Sequence, residues 1–177
     1  MKLKLLAGII ASLGLVLGNA IAFAPESTAA TENTYYCAQL KGRWHTFVKT
    51  PRGKVKLIGW ETQFSERWTP RNRCIEVSNR FQSFLESKSL KYIRTGIVNK
   101  LPVICVAQMS GGECPAQNVL ITFNPETDPE KVLVQLVNFR RSVSGQTIVL
   151  SEGDTGFYSQ GEFYVDVNKF IDSIPAE

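Results

Sequence analysis

Five cations crowd one short stretch of this chain. Arg43, Lys49, Arg52, Lys54 and Lys56 lie close together, interleaved with His45, Trp44 and Phe47 and followed by Trp60. Guanidinium and ammonium groups at such density are chemistry for anions, and they describe a partner rather than a fold. In their midst, Thr50-Pro51-Arg52-Gly53 is a turn signal: proline presets the backbone and glycine follows two residues on. A hairpin is therefore expected, with Arg43 to Lys49 as one arm and Lys54 to Trp60 as the other. With Pro51-Arg52 at the tip, Val48, Val55, Thr46, Leu57, Trp44 and Gly59 share a core face. The outer face then sets Lys49 opposite Lys54, Phe47 opposite Lys56, His45 opposite Ile58 and Arg43 opposite Trp60. Like charges directly opposite are mildly destabilising in a sheet, so the arrangement is not there for the fold. The expectation is a face that meets an anionic surface, with Arg52 at its tip. Against it stands a plainer reading, in which lysines on an exposed hairpin blunt strand edges and keep a domain soluble.

The other chemistry-bearing residues lead to little. His45 is the only histidine, and no Gly-x-Ser-x-Gly elbow accompanies it. Glu76 and Glu86 fall far apart along one helix, so they do not pair for acid and base work. Glu152-Gly153-Asp154-Thr155-Gly156 carries oxygens but lacks the ligand order of an EF-hand. Zinc finds one histidine and no Cys-x-x-Cys spacing. No cofactor and no metal are expected, and an enzyme reading would rest on His45 alone. Arg52 on an exposed turn also suits the pocket of a trypsin-like peptidase, a second alternative.

The overall charge of +4 conceals a division. From Cys37 to Lys100 there are fourteen Lys and Arg against four Glu, a net of +10; from Leu101 to Glu177 there are four against ten, a net of −6. Basic and acidic halves of this kind point to an acidic partner, or to attraction between copies. Aromatics interleave with the basic residues: Tyr35, Tyr36, Trp44, Phe47, Trp60, Phe64 and Trp68. In a cytosolic chain that mixture would suggest single-stranded nucleic acid. The N-terminus argues otherwise.

Lys2 and Lys4 precede an apolar or small run from Leu5 to Leu17, followed by Asn19-Ala20-Ile21-Ala22. These are the parts of a secretory signal. A helix of that run covers about 20 Å, short of the roughly 30 Å hydrocarbon core. Cleavage after Ala22 is expected, with residues 23–34 a flexible leader and residues 35–175 a single domain. The expected location is outside the cytoplasm: periplasm, thylakoid lumen or extracellular space. All four cysteines, Cys37, Cys74, Cys105 and Cys114, lie in the mature part, and an even count in an exported chain predicts disulfides. Three connectivities exist. Cys105 and Cys114 flank the turn-forming Met109-Ser110-Gly111-Gly112, so a local bridge is the economical choice, which leaves Cys37 with Cys74.

These residues need elements to hold them. Tyr35 to Leu40 reads as a strand before the hairpin. Thr69-Pro70 caps and starts a helix on which Cys74, Val77, Phe81, Phe84 and Leu85 recur at helical spacing until Ser87. Lys91 to Val98 and Leu101 to Ala107 are strands around Asn99-Lys100, and Asn118 to Phe123 is another. Thr127 or Asp128 precedes Pro129-Glu130 at a second helix, and Thr127-x-x-Glu130 fits a capping box. A short strand at Thr147 to Leu150 and a strand or helical turn from Phe163 to Phe170 end the chain. The sum is an α+β fold: a largely antiparallel sheet with two helices, stapled by two disulfides.

Several stretches together carry a family resemblance. They are Tyr36-Cys37, Thr50-Pro51-Arg52-Gly53, Trp60, Thr69-Pro70, Arg73-Cys74 through Val77-Ser78, Arg80-Phe81-Gln82, Pro102 to Ala107 and Gly111-Gly112-x-Cys114. In this order, over roughly residues 35–142, the chain resembles the circadian oscillating protein family of cyanobacteria. The resemblance implies an exported protein associated peripherally with membranes, and it supplies no catalytic residues. Together the readings lead to a non-catalytic binding domain whose partner is an anionic membrane surface or an acidic protein. Nucleic acid is not expected as a partner.

Overall fold

The computed structural model describes residues 33–143 and 155–176. The signal segment, nearly all of the leader, the strand expected at Thr147 to Leu150 and residues Glu152 to Asp154 lie outside them. Three strands form a first antiparallel sheet in sequence order: β1 (Thr34–Leu40), β2 (Arg43–Thr50) and β3 (Gly53–Trp60). The turn between β2 and β3 is fixed from within. Thr50 Oγ1 accepts from the Arg52 amide at 3.2 Å and donates to the Gly53 carbonyl at 3.0 Å. Gly53 takes a φ of 134°, which disfavours any residue with a Cβ.

The hairpin register agrees with expectation only near the turn. Lys49 pairs with Lys54, Val48 with Val55 and Phe47 with Lys56; beyond that the register shifts, so that Thr46 pairs with Ile58, His45 with Gly59 and Trp44 with Trp60. Leu57 is the extra residue of a β-bulge. The correction has consequences. Trp60 moves to the core face and is buried, while Gly59 passes to the outer face beneath the His45 ring. The Trp60 indole Nε1 donates to Thr46 Oγ1 at 3.0 Å, and Ser78 Oγ donates to the same oxygen at 3.0 Å. All three residues are buried, so one hydroxyl satisfies two polar groups that would otherwise cost free energy.

Ser78 belongs to α1 (Pro70–Glu86), capped as expected by Thr69, whose side chain accepts from the Asn72 amide. Cys74, Val77 and Phe81 line its buried face, and the Phe81 ring stacks on Tyr35 of β1 at 5.0 Å. The Cys37–Cys74 disulfide joins that helix to β1 across the same contact. On its other side Arg80 donates to the carbonyls of Val119 and Leu120, at 3.3 and 3.2 Å. The helix therefore ties the first sheet to a second.

The second sheet has the order β6-β5-β4-β8-β7, antiparallel throughout: β4 (Tyr92–Val98), β5 (Leu101–Ala107), β6 (Val119–Thr122), β7 (Gly156–Ser159) and β8 (Glu162–Asp166). Instead of one sheet there are two, sharing a core that includes Val48, Val55, Ile104, Val106, Phe163 and Val165. Helix α2 (Pro129–Val143) packs on β4 and β5. Its cap is Asp128, whose Oδ1 accepts from the amides of Glu130 and Lys131, both at 3.1 Å. The Lys131 amide is the main cause holding that carboxyl below its ordinary pKa, so the cap is intact at neutral pH and is lost as pH falls through the lowered value. The capping box expected from Thr127 and Glu130 does not close, because Glu130 Oε1 accepts instead from the Tyr158 hydroxyl at 2.7 Å. A third helix, α3 (Val167–Ser173), follows β8 with Asp166 as its cap.

The second face of this sheet is closed by the loop after β5. Cys105 bonds to Cys114, completing both disulfides in the expected pairing. Arg94 reaches under the loop, donating to the Gly112 carbonyl at 2.8 Å and to the Tyr164 hydroxyl at 3.0 Å, with Glu162 at 3.1 Å. Gly96 makes room for the bridge: a Cβ there would stand 2.5 Å from the Cys114 sulfur and 2.9 Å from its Cβ. Gly96→Ala is expected to cost about 1–3 kcal/mol of stability in urea denaturation. The cost should shrink, without vanishing, when Cys105 and Cys114 are both alanine.

Candidate anion-binding surfaces

The outer face of the hairpin carries the residues singled out for anions, and the structure divides them. Lys49 and Lys54 stand opposite each other and are exposed, and Lys56 is half-buried beside Phe47. Phe47 is only 7% exposed although it faces away from the main core, because Tyr36 stacks on it at 5.5 Å and the His45 ring lies at 5.8 Å. The aromatic floor beneath the lysines is thus built from adjacent strands, and desolvation raises the pKa of the Tyr36 phenol. None of the three lysines has an acidic partner within salt-bridge distance among the described residues.

Arg43 and Arg52 are engaged elsewhere. Arg43 pairs with Glu61 at 2.7 Å, both side chains well exposed, a contact worth little net free energy. Arg52 turns away from the face: its guanidinium donates to the carbonyls of Ile171 at 2.8 Å and Ile174 at 3.3 Å, with Asp172 at 3.4 Å. A cation suits the carbonyl end of a helix: the Ile171 oxygen also accepts from the Ile174 amide at 3.2 Å, and Arg52 adds a second donor there. Arg52 therefore locks the hairpin turn to the end of the chain. His45 directs Nδ1 to the Arg43 carbonyl at 3.0 Å, so that nitrogen meets a backbone group and not a carboxylate.

A second basic region, which sequence reasoning did not single out as a site, gathers around the start of α1. Three arginines lie over aromatic rings: Arg67 over Trp68 at 5.5 Å, Arg71 over Trp44 at 5.7 Å, and Arg73 over Trp60 at 4.8 Å with Phe64 at 5.7 Å. Such stacking is favourable when the cation is partly desolvated. Arg73 lines two clefts, of about 210 and 700 Å³, and Ile121 lines both with it. The interleaving of aromatics with basic residues was legible, but which arginine met which ring depended on the bulge that redirects Trp60.

With this geometry in view, comparison with known families decides the kinship. The sequence profile of the family described as circadian oscillating protein COP23 matches residues 34–172. The chain belongs to that family. No curated protein and no solved structure gives a significant match. The match in this COP23-family chain begins with β1 and ends within α3, so it takes in both sheets, both disulfides and both basic regions.

Among the described residues no group of three His, Cys, Asp or Glu side chains is placed to hold a metal ion. Glu76 pairs with Arg80 at 3.0 Å, and Glu86 accepts from Gln82 at 2.9 Å. In this family member the contacts of Arg52 lead to a direct test. Arg52→Ala is expected to lower stability by about 1–3 kcal/mol in chemical denaturation. Arg52→Lys should recover only part of that, since one ammonium cannot reproduce the fork that reaches two carbonyls and a carboxylate.

Proposed function

We propose that this protein is a non-catalytic binding domain that acts outside the cytoplasm and docks peripherally on an anionic membrane through Lys49, Lys54 and Lys56. One observation carries the reading: two lysines stand directly opposite each other on an exposed face, with a third nearby and no acidic partner for any of them among the described residues. Cross-strand like charges cost the fold free energy that an anionic surface would return. A phosphate-rich surface is the simplest such partner, because it needs density of charge rather than a shaped pocket.

The sheet beneath supports the same reading. Tyr36 stacks on Phe47, and Phe47 pairs across the strands with Lys56, so the lysine face rests on a packed aromatic pair. Arg52 contributes by fixing the turn, not by touching the partner. Arg43, paired with Glu61, adds little net charge.

Co-sedimentation of the oxidised protein with vesicles tests the reading. Binding is expected to phosphatidylcholine vesicles containing phosphatidylglycerol, not to phosphatidylcholine alone, and it should fall steeply as salt is raised. Each lysine near such a surface contributes about 1 kcal/mol, so changing Lys49, Lys54 and Lys56 together to Gln should weaken binding on the order of 100-fold. Absence of binding at low salt, or equal binding by the variant, would remove lipid as the partner and leave an acidic protein as the object of search.

A further inference from the structure

We infer that the clefts beside α1 form a site for a small amphipathic carboxylate, its carboxylate on Arg73 and its apolar body against Phe64, Trp68, Val77, Leu120 and Ile121. The inference concerns a different surface from the lysine face and does not depend on it.

Arg73 lacks partners for most of its donors among the described residues. A guanidinium carries five N–H donors. The faces of this one are taken by Trp60 and Phe64, but among the described residues its hydrogen bonding comes to one long contact from Nη1 to the Thr62 carbonyl at 3.4 Å. No carboxylate pairs with it among the described residues, although it is half-buried. Desolvation lowers its pKa from the ordinary value, the signature of a cation removed from water without a counter-ion.

The acids nearby are already neutralised. Glu76, on the wall of the smaller cleft, is held by Arg80 through Nε at 3.1 Å and Nη2 at 3.0 Å. Glu61, on the wall of the larger, is held by Arg43. Arg80 in turn spends Nη1 on the Val119 and Leu120 carbonyls. One positive charge is left over, and it belongs to Arg73. A monoanion balances it. A planar carboxylate matches the guanidinium fork, whereas a phosphate dianion would find no second free cation on the walls.

The rest of the lining sets the body of the ligand. Around the smaller cleft stand Phe64, Trp68, Val77, Leu101, Leu120 and Ile121, and the larger adds Ile104, Phe123 and Leu136. Arg73 and Ile121 line both clefts, so a body that outgrows the smaller one, about 210 Å³, extends into the larger, about 700 Å³; the ordinary range for small-molecule sites is about 300–1,000 Å³. One uncompensated charge, with the other charged groups already paired, among largely apolar walls makes a site that orients an amphiphile by its head.

Calorimetric titration of the oxidised protein tests this with two carboxylates and their neutral counterparts: decanoate, kept below its micelle concentration, against decan-1-ol, and 1-naphthoate against 1-naphthalenemethanol. Saturable binding of one carboxylate at one per chain is expected, about tenfold or more tighter than its alcohol. Preference for decanoate assigns an acyl body, and preference for 1-naphthoate a planar ring. Arg73→Met should abolish the advantage of acid over alcohol. The Lys49, Lys54 and Lys56 to Gln variant should keep it, which separates this site from the membrane face. If neither carboxylate outbinds its alcohol in the parent protein, the inference is overturned, whether or not Arg73→Met folds.

Discussion

A single extra residue organises much of this molecule. The bulge at Leu57 lets the hairpin keep its register near the turn and change it above, so that one ribbon presents two unlike surfaces. Below it the alternation sends Lys49, Lys54 and Lys56 outward. Above it the slip carries Trp60 inward, opposite Trp44, where its indole meets Thr46 and its ring lies under Arg73. A bulge strengthens local twist and re-aims side chains. Here it allows one hairpin to contribute both to an open basic face and to the wall of a cleft.

Helix α1 converts that local event into a tertiary one. Its disulfide to β1, its hydroxyl contact to Thr46 and the Arg80 bonds to β6 fix it at both sheets. The clefts lie along this helix because it bridges two sheets that share a core without sharing a strand. Charge follows the same geography. The region from Cys37 to Lys100, with a net of +10, includes the first sheet and α1, while the second half of the chain carries −6. Cations that face acids are stapled, as Arg94 is to Glu162 and Arg43 to Glu61; Lys49, Lys54 and Lys56 have no such partner among the described residues.

How much of this could be read from the chain depended on how local each signal was. Thr69-Pro70 announced α1, the apolar run from Leu101 to Ala107 matched β5, and the cysteine spacing led to the observed bridges. Each rests on neighbours in sequence. The bulge had no such marker, because Leu57 suits either register, so the pairing beyond Phe47 and the faces of Ile58, Gly59 and Trp60 were misassigned. β7 and α3 are too short, at four and seven residues, for a periodic pattern to declare them. Of the two caps the sequence offered, Thr127 and Asp128, the structure takes Asp128, and Tyr158 claims the Glu130 side chain that the expected capping box requires. The site was legible as composition: basic and aromatic residues were visibly interleaved. Its division was not, since the partners of Arg52 lie 119 to 122 residues away.

That last distance bears on the order in which the chain can assemble. The turn at Pro51-Arg52 is made well before the carbonyls that anchor it, which belong to Ile171 and Ile174. Contacts between such distant segments close late, because a long loop must be ordered first. The first sheet and α1 can gather around their own disulfide while the tip of the hairpin remains unanchored. Only a chain that has reached α3 brings the helix end that holds it. The anchoring of the turn and the rigidity of the basic face are therefore one event, governed from the end of α3.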